Sequence, residues 1–290
     1  MTPAASAWPP AAYVGITGIV TEDDVETVRQ AAAIVRTRAP HRRLMAGVLV
    51  SWKTLCGRST TNRRYPTLEA AGRLVEALVE AGAWPVVHYN SREPHLGSQV
   101  VSLLAALPWA GGVQLNVVRP EPDEIAQIRR FHPPSEMEII LQANHAAPWD
   151  AEAGLLAWSL RFEGLVQHIL LDLSGGRGTG IDPGKVAAVL GHATGRWLHA
   201  GIRPALAGGL GPDCARVLRE TGRQIGAPCQ PADPHGGSVV LAACSCDAES
   251  GVRVPVDDPV EGEPFQDRLD RGKALAYVEA ALGALKAEET

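Results

Sequence analysis

Apolar residues in this chain fall into eight short runs that have the character of buried β-strands. Each run spans four to eight residues and is rich in apolar residues, which is typical of strands covered on both faces in a parallel sheet. The predicted strands are Tyr13–Ile16, Leu44–Ser51, Trp84–Tyr89, Gly112–Asn116, Glu138–Gln142, Gln167–Asp172, Pro204–Ala207 and Val239–Cys246.

A segment with helical character follows each predicted strand. Thr21 supplies an N-cap that three acidic residues follow, and Pro183 takes the first helical position after Asp182. Leu74 and Leu78, with Val79, recur at helical spacing. Helices are predicted from Thr21 to about Arg38, from Thr67, over Leu96–Leu107, Pro122–Phe131 and Ala151–Phe162, from Asp182, from Pro212, and over Asp267–Ala287.

Strand followed by helix, eight times over, predicts an α/β fold of the (β/α)8 type, a TIM barrel. Such a barrel typically needs about 250 residues. We therefore expect the 290-residue chain to form one barrel domain over 13–290 after a Pro/Ala-rich tail over 1–12, with 226–237 and 254–264 as loops. A doubly wound open sheet is the alternative, but it requires a topological switch point that the sequence does not reveal.

The composition of the chain limits which kinds of binding partner and which cellular compartment are expected. Hydrophobic residues make up 46% of the chain and the formal net charge is −5, which argues for a large core and against a nucleic-acid or anionic-membrane surface. No apolar run reaches the roughly 18 residues of a membrane span, and the N-terminus lacks the pattern of a signal peptide. Five cysteines without framework spacing suit a reducing cytoplasm.

Almost every predicted strand ends on polar residues. In a TIM barrel the carboxyl ends of the strands form one rim, where catalytic groups lie. A single polar residue at a strand end is most simply a solvated or capping group, whereas their joint placement on one rim indicates an active site. The rim set is Thr17, Ser51, Lys53, His88, Asn116, Gln142, Asn144, His145, Asp172, Asp247 and Ser250.

Glycine-rich loops after the last two predicted strands indicate a phosphate site. Gly208 and Gly209 follow the seventh strand, and Ser250 and Gly251 follow the eighth. These two loops often bind phosphate in TIM barrels, because glycine lets backbone N–H groups approach the anion. Two ordinary turns are the alternative interpretation.

The ordered set of motifs resembles the phosphoribosylanthranilate isomerases, barrel enzymes of tryptophan synthesis. Residues 206–213 are similar to the family's L-[AS]-G-G-L-x-P-E loop, 247–252 to its D-V-S-S-G-V segment, and 170–172 to its L-L-D. Residues 113–116 resemble V-Q-L-H, 14–24 resemble K-I-C-G-I-T with the acidic helix start that follows, and Arg64 with Tyr65 resembles R-Y. The likeness runs in order through residues 13–287.

This resemblance implies a barrel of the ribulose-phosphate-binding type and an isomerase acting on a phosphorylated small molecule. The family's reaction is an Amadori rearrangement of an amino-ribose phosphate, an aldose-to-ketose shift that requires no cofactor. By the resemblance, Asp172 is the general acid that opens the sugar ring, Asp247 contacts a substrate hydroxyl and Arg64 pairs with the substrate carboxylate. Burial at a barrel mouth can raise a carboxyl pKa enough for the acid role.

Three positions depart from the family pattern. Thr17 stands where the family has its cysteine base, Asn116 replaces a histidine, and Arg253 replaces an acid. A threonine hydroxyl cannot lose a proton usefully near pH 7, so His88 and His145 become the candidate bases, since imidazole titrates in the useful range. Either histidine is otherwise a loop residue hydrogen-bonded to backbone.

Two further functions remain open beside the isomerase. One is a phosphate-ligand-binding protein without catalysis, and the other is a phosphosugar lyase or epimerase with a histidine base. The segment 175–185 departs from the P-loop pattern, so no nucleotide cofactor is predicted. No local spacing supports a metal site, and Cys244 and Cys246 are expected to be buried core residues. The oligomeric state is not fixed by the sequence, with a homodimer as one alternative.

Overall fold

The computed structural model describes residues 10–58, 60–116, 120–143, 152–172, 180–225, 236–256 and 266–286. Eight parallel strands pair in sequence order and close into a barrel. The strands are β1 Tyr13–Thr17, β2 Arg43–Ser51, β3 Trp84–Asn90, β4 Gly112–Asn116, β5 Glu138–Ala143, β6 His168–Asp172, β7 Arg203–Ala207 and β8 Ser245–Ala248. The predicted TIM barrel is therefore confirmed.

Helices surround the barrel and mostly begin where the sequence signals place them. Thr21 accepts a hydrogen bond from the Asp24 N–H and Asp24 reaches back to Thr21, which forms a capping box. Asp182 caps the helix that Pro183 opens. The helices are α1 Glu22–Arg38, α2 Trp52–Leu55, α3 Leu68–Glu80, α4 Leu96–Ala106, α5 Pro122–Phe131, α6 Glu152–Leu160, α7 Pro183–His199, α8 Cys214–Ile225, α9 Gly236–Ala243 and α10 Arg271–Ala284. None of these described helices has both the length and the apolar character needed to cross a membrane.

The predicted eighth strand, Val239–Cys246, was wrong at its start. Residues up to Ala243 belong to α9, and the strand begins only at Ser245. A short apolar run rich in valine and alanine does not by itself distinguish a buried helix from a buried strand. The position of Ser245 is set instead by tertiary contact, because its hydroxyl accepts a hydrogen bond of 3.0 Å from the Tyr13 N–H.

A short antiparallel ribbon near the C-terminus also departs from the expectation. Strand β9, Arg253–Pro255, pairs with β10, Asp267–Leu269, where the sequence predicted loop and helix respectively. The last helix consequently begins at Arg271, and Asp270 caps it through the Lys273 N–H. A strand of three residues is too short to show a recognisable alternation of apolar and polar residues. Its pairing depends on a partner strand that is distant in the sequence.

Side chains along the barrel strands alternate between two environments. Residues facing outward, such as Val48 and Ile169, pack against the helices in the main core. Residues facing inward form a separate apolar layer across the barrel interior, consisting of Tyr13, Met45, Val86, Ile140, Leu170 and Ala205. Because successive strand residues face opposite sides, the inward positions beyond this layer lie toward the C-terminal mouth, and several of them are polar.

The opposite, N-terminal end of the barrel is closed by an ion network. His168 Nε2 lies 2.8 Å from a Glu138 carboxylate oxygen, and Arg43 pairs with the same oxygen while stacking on the Trp84 ring at 3.5 Å. Burial opposes ionisation of Glu138, but the bonds from His168 and Arg43 outweigh it and lower its pKa to about 2. The charges at this end are thus compensated within the protein.

A buried hydrogen bond joins two helices behind β6. Trp197 of α7 is fully buried, and its indole N–H donates to the Ser159 hydroxyl of α6 at 2.7 Å. We expect Ser159→Ala to lower the free energy of unfolding by about 1 to 3 kcal/mol, because the buried indole donor loses its partner. Urea denaturation measures this. The control Ser102→Ala, at an exposed position of α4, should change stability by less than about 0.5 kcal/mol; equal effects of the two substitutions would contradict the expectation.

Candidate active site

Two buried carboxylates lie at the C-terminal mouth of the barrel. Asp172 is the last residue of β6 and is 4% exposed, and Asp247 lies one residue before the end of β8 and is 6% exposed. Ala207 of β7 pairs with Asp172, and the register between β7 and β8 continues toward Asp247. The two carboxylates are therefore separated by one strand that carries only a small alanine side chain.

Asp247 is held by the neighbouring first strand. The Thr17 hydroxyl donates a hydrogen bond of 2.7 Å to its Oδ1. Gly15 of β1 pairs with Asp247, and a Cβ added to this glycine would lie 3.0 Å from Oδ1, so the missing side chain makes room for the carboxylate. Burial raises the pKa of Asp247 to about 7 despite the Thr17 bond, and the charges of Glu249 and Asp172 act in the same direction.

Asp172 has a different partner. The Gln142 side chain of β5 donates a hydrogen bond of 2.6 Å from Nε2 to Asp172 Oδ2. This amide holds the carboxylate at the mouth. The two acids thus occupy unlike surroundings, since one accepts from a hydroxyl and the other from an amide. Paired carboxylates in unlike surroundings are typical of acid–base sites.

His88 faces the same space from β3. It is 2% exposed, and its Nε2 has no hydrogen-bond partner among the described residues. A Cβ at Gly47 of β2 would lie 2.7 Å from this nitrogen and 2.8 Å from Thr17 Oγ1, so Gly47 leaves open the space between the two groups. Burial lowers the pKa of His88 to about 3. The imidazole is accordingly neutral and a weak base at neutral pH.

Two amides of β4 extend the polar lining. Gln114 is buried, and its Nε2 donates a hydrogen bond of 2.8 Å to Asn116 Oδ1. Its Oε1 has no partner within the described part of the chain. Sequence reasoning placed Asn116 and Gln142 at the rim but did not select Gln114. The signal available for Gln114 was its spacing, because it lies two residues before Asn116 and therefore shares that residue's face of the strand.

The two glycine turns after β7 and β8 lie in direct contact. Gly208 and Gly209 have φ values of +113° and +63°, which side-chain-bearing residues rarely adopt. A Cβ on Gly251 would lie 2.0 Å from the Leu210 carbonyl oxygen, so only glycine permits this approach. Ser250 and Gly209 are exposed. The predicted phosphate residues thus adjoin one another, with backbone accessible beside the mouth.

Arg64 lies at the mouth but is engaged by carboxylates of the chain itself. Its Nε donates to Asp267 at 3.0 Å and its Nη1 to Glu249 at 2.7 Å. Arg253 shares Asp267 at 2.6 Å and donates from Nη1 to the Gly18 carbonyl oxygen at 2.8 Å. This cluster ties the loops after β1 and β2 to the β9–β10 ribbon. An approaching substrate carboxylate would have to displace one of these partners.

Of the remaining sequence-predicted residues, Ser51 accepts a hydrogen bond of 3.2 Å from the Thr54 N–H and caps α2, the short helix that contains Lys53. His145, with Asn144, lies outside the described residues, as does the loop over 173–179. Among the residues that the structure describes, no three His, Cys, Asp or Glu side chains cluster as metal ligands. The buried Cys244 and Cys246 lie in the core between barrel and helices.

No protein-family model matches the chain, and no curated protein sequence matches it. Among solved structures, N-(5'-phosphoribosyl)anthranilate isomerase from Pyrococcus furiosus is similar with a TM-score of 0.55 and 15% identity, over 94% of this chain and 99% of its own. The tryptophan synthase α subunit from Legionella pneumophila strain Paris has a TM-score of 0.51 and 11% identity, over 95% of this chain and 93% of its own. These neighbours are enzymes of different chemistry, and at such identities the likeness shows the shared TIM-barrel fold.

The raised pKa of Asp247 makes the folded protein less stable at alkaline pH. In the unfolded chain this carboxyl ionises near pH 4, whereas the folded one keeps its proton to about pH 7. Between these values the unfolded state binds fewer protons, so the contribution of Asp247 to stability falls as pH rises from about 4 to about 7 and then levels off.

We therefore expect Asp247→Asn to raise the free energy of unfolding by roughly 2 to 4 kcal/mol at pH 8 and to change it little at pH 4. The asparagine oxygen can still accept from Thr17, so the hydrogen bond is kept. Urea denaturation at pH 4, 6 and 8 measures the difference. A gain that is the same at all three pH values would show that ionisation of Asp247 is not its source.

Proposed function

We propose that the chain is an isomerase that converts a phosphorylated amino-aldose into the corresponding amino-ketose. The observation that carries this proposal is the pair of buried carboxylates, Asp172 and Asp247, placed one strand apart beside two adjoining glycine turns. An aldose-to-ketose shift requires a proton donor and a proton acceptor acting on one small substrate. Two carboxylates with unlike surroundings supply both roles.

Asp172 is the proton donor in this proposal. It protonates the ring oxygen of the substrate while the bond from that oxygen to the anomeric carbon breaks. The nitrogen lone pair forms a double bond to the anomeric carbon, so the opened sugar is an iminium. Gln142 holds the carboxyl in place through its 2.6 Å hydrogen bond. The reaction moves hydrogen within the substrate and needs no external oxidant or reductant.

The glycine turns hold the phosphate of the substrate. Backbone N–H groups of Gly208, Gly209 and Gly251, with the Ser250 hydroxyl, provide uncharged donors, which suits a chain whose net charge is −5. Asn116 and neutral His88 line the opposite side of the mouth and meet hydroxyl groups of the sugar. A neutral imidazole can donate or accept without adding charge.

Arg64 receives no substrate contact in this proposal. Its guanidinium already pairs with Asp267 and Glu249, and burial of such pairs makes removal of one partner costly. The amine substituent of the substrate therefore need not carry a carboxylate. This separates the proposed substrate class from N-(5'-phosphoribosyl)anthranilate, and a comparison of that compound with N-(5'-phosphoribosyl)aniline examines the point directly.

Turnover depends on Asp172 in this proposal. Asp172→Asn should lower kcat by about 10² to 10⁴-fold with either compound, because the proton donor is lost, while inorganic phosphate binds as before. The measurement is the appearance of the ketose product, with binding followed by calorimetry. Asp23→Asn, at an exposed site of α1, is the matched control and should leave kcat unchanged. Wild-type phosphate binding without any product would favour a binding protein instead.

Phosphate binding should depend on the contact between the two turns. We expect Gly251→Ala to weaken inorganic phosphate binding by at least about tenfold, equivalent to about 1.4 kcal/mol, because the new Cβ forces the turns apart. The control is Gly195→Ala in α7, where an added Cβ meets no atom within 4 Å.

Ser250→Ala provides a second variant that leaves the backbone unchanged and should weaken binding less. Calorimetry measures the affinity of all three variants, and thermal unfolding verifies that each is folded. Equal phosphate affinity in Gly251→Ala and Gly195→Ala would remove the two turns from the proposed site.

A further inference from the structure

We propose that Asp247 is the general base of this isomerisation and that the Thr17 hydroxyl is a positioning group for its carboxylate. The inference rests on the proposed isomerase function and assigns the one role that the function leaves open. Its basis is geometric: the hydroxyl at the end of β1 points its proton at the acid on β8, and that acid faces the same mouth as Asp172.

Thr17 itself is excluded as the base by its chemistry and by its hydrogen bond. The hydroxyl holds its proton at neutral pH, and this proton is donated to Asp247 Oδ1 at 2.7 Å. Because the hydroxyl donates its proton to the hydrogen bond and the carboxylate accepts it, the carboxylate is the stronger base of the two. Asp247 is therefore the group that abstracts the substrate proton at this position of the barrel.

Small residues line the barrel wall around Asp247. Gly15 and Gly47 lack the Cβ atoms that would crowd Asp247, Thr17 and His88, and only Ala207 lies between the two acids along the barrel wall. Adjacent strands are about 4.8 Å apart, so the backbones of β6 and β8 are separated by about 10 Å. Their side chains can then converge on neighbouring atoms of one sugar.

The proposed step is balanced without a co-reactant. After ring opening, ionised Asp247 takes the proton from the carbon next to the anomeric carbon. The electrons of that C–H bond form a carbon–carbon double bond to the anomeric carbon, and the iminium π electrons move onto nitrogen. The resulting enol loses its hydroxyl proton as the anomeric carbon gains one, which gives the amino-ketose. Asp247 later returns its proton through solvent to Asp172.

The pKa of Asp247, raised to about 7 by burial and by neighbouring carboxylates, still permits its ionisation near neutrality. Among the described residues, the titratable groups that interact with Asp247 electrostatically are Asp172, Glu249, Tyr13, Cys246 and Tyr277. The last three remain protonated to pH 9, because burial raises the pKa values of both tyrosines well above the usual range and that of the cysteine to about 12. A carboxyl with a pKa near 7 is a stronger base than an ordinary one and is still substantially ionised at neutral pH.

His88 is assigned a different part. With its pKa lowered to about 3 by burial, it is a much weaker base than Asp247. Its Nε2, buried without a partner among the described residues, remains available to hydrogen-bond a substrate oxygen. His88, which the sequence suggested as a base, is thus better suited to binding substrate than to proton transfer.

The test measures kcat/KM against pH for the wild-type protein and for three variants, with N-(5'-phosphoribosyl)aniline and N-(5'-phosphoribosyl)anthranilate as probes. Asp247→Asn should lower kcat/KM at least about 10²-fold above pH 7, where the wild-type carboxyl is ionised, and should retain inorganic phosphate binding. Wild-type turnover of a probe deuterated next to the anomeric carbon should show a primary isotope effect.

Thr17→Val separates a positioning role from a purely structural one. The Thr17 bond lowers the pKa of Asp247, so its removal should move the acid limb of the wild-type profile, near pH 7, to higher pH while activity at pH 9 is largely kept. Thr17→Ser should restore the wild-type profile. A loss of activity in Thr17→Val that is equal at all pH values would overturn the positioning role.

The outcomes distinguish the two proposals. Wild-type turnover together with Asp247→Asn activity within tenfold of wild type would overturn the base assignment and leave the isomerase function standing. Absence of wild-type turnover with both probes would overturn both. An unshifted acid limb in Thr17→Val, with turnover lost in Asp247→Asn, would keep Asp247 as base and remove Thr17.

Discussion

Pairing of β8 with β1 is the constraint on which the rest of the structure depends. It closes the barrel, and it brings Thr17 and Asp247 together across a sequence separation of 230 residues. Closure also fixes which side chains face inward, because parallel register and period-two alternation leave no freedom to rotate one strand alone. The polar mouth, the apolar layer below it and the ion network at the far end all follow from that register.

The two ends of the barrel treat buried charge in opposite ways. At the N-terminal end, Glu138 is compensated by Arg43 and His168, and it stays ionised. At the C-terminal mouth, Asp247 is buried, and its hydrogen bonds with the Thr17 hydroxyl and the Ala248 backbone do not offset that burial, so its pKa is raised to about 7. The first arrangement makes the N-terminal end of the barrel rigid. The second lowers stability at alkaline pH, which is the type of local conflict that proteins keep at functional sites.

The chain has the TIM-barrel fold, but the charged and polar residues at its mouth differ from the pattern of the family that its sequence resembles. Thr17 and Arg253 stand where the resembled family has a cysteine and an acid, and the structure shows both engaged within the chain: Thr17 with Asp247, Arg253 with Asp267 and the Gly18 carbonyl. The barrel likeness at 15% identity therefore establishes architecture, while chemistry has to be argued from the mouth itself.

The sequence by itself determined the barrel and most of its elements, because caps, helical period and apolar runs are local signals. The bounds Pro122–Phe131 and Gly112–Asn116 agree with the predicted ones, and Asp172 ends its strand as expected. Tertiary structure alone decided the start of β8, the β9–β10 ribbon and the partners of Arg64. It also decided the inward position of Gln114 and the pKa of Asp247. Each of these depends on distant residues packed side by side, and burial and hydrogen bonding of that kind leave no mark on local sequence.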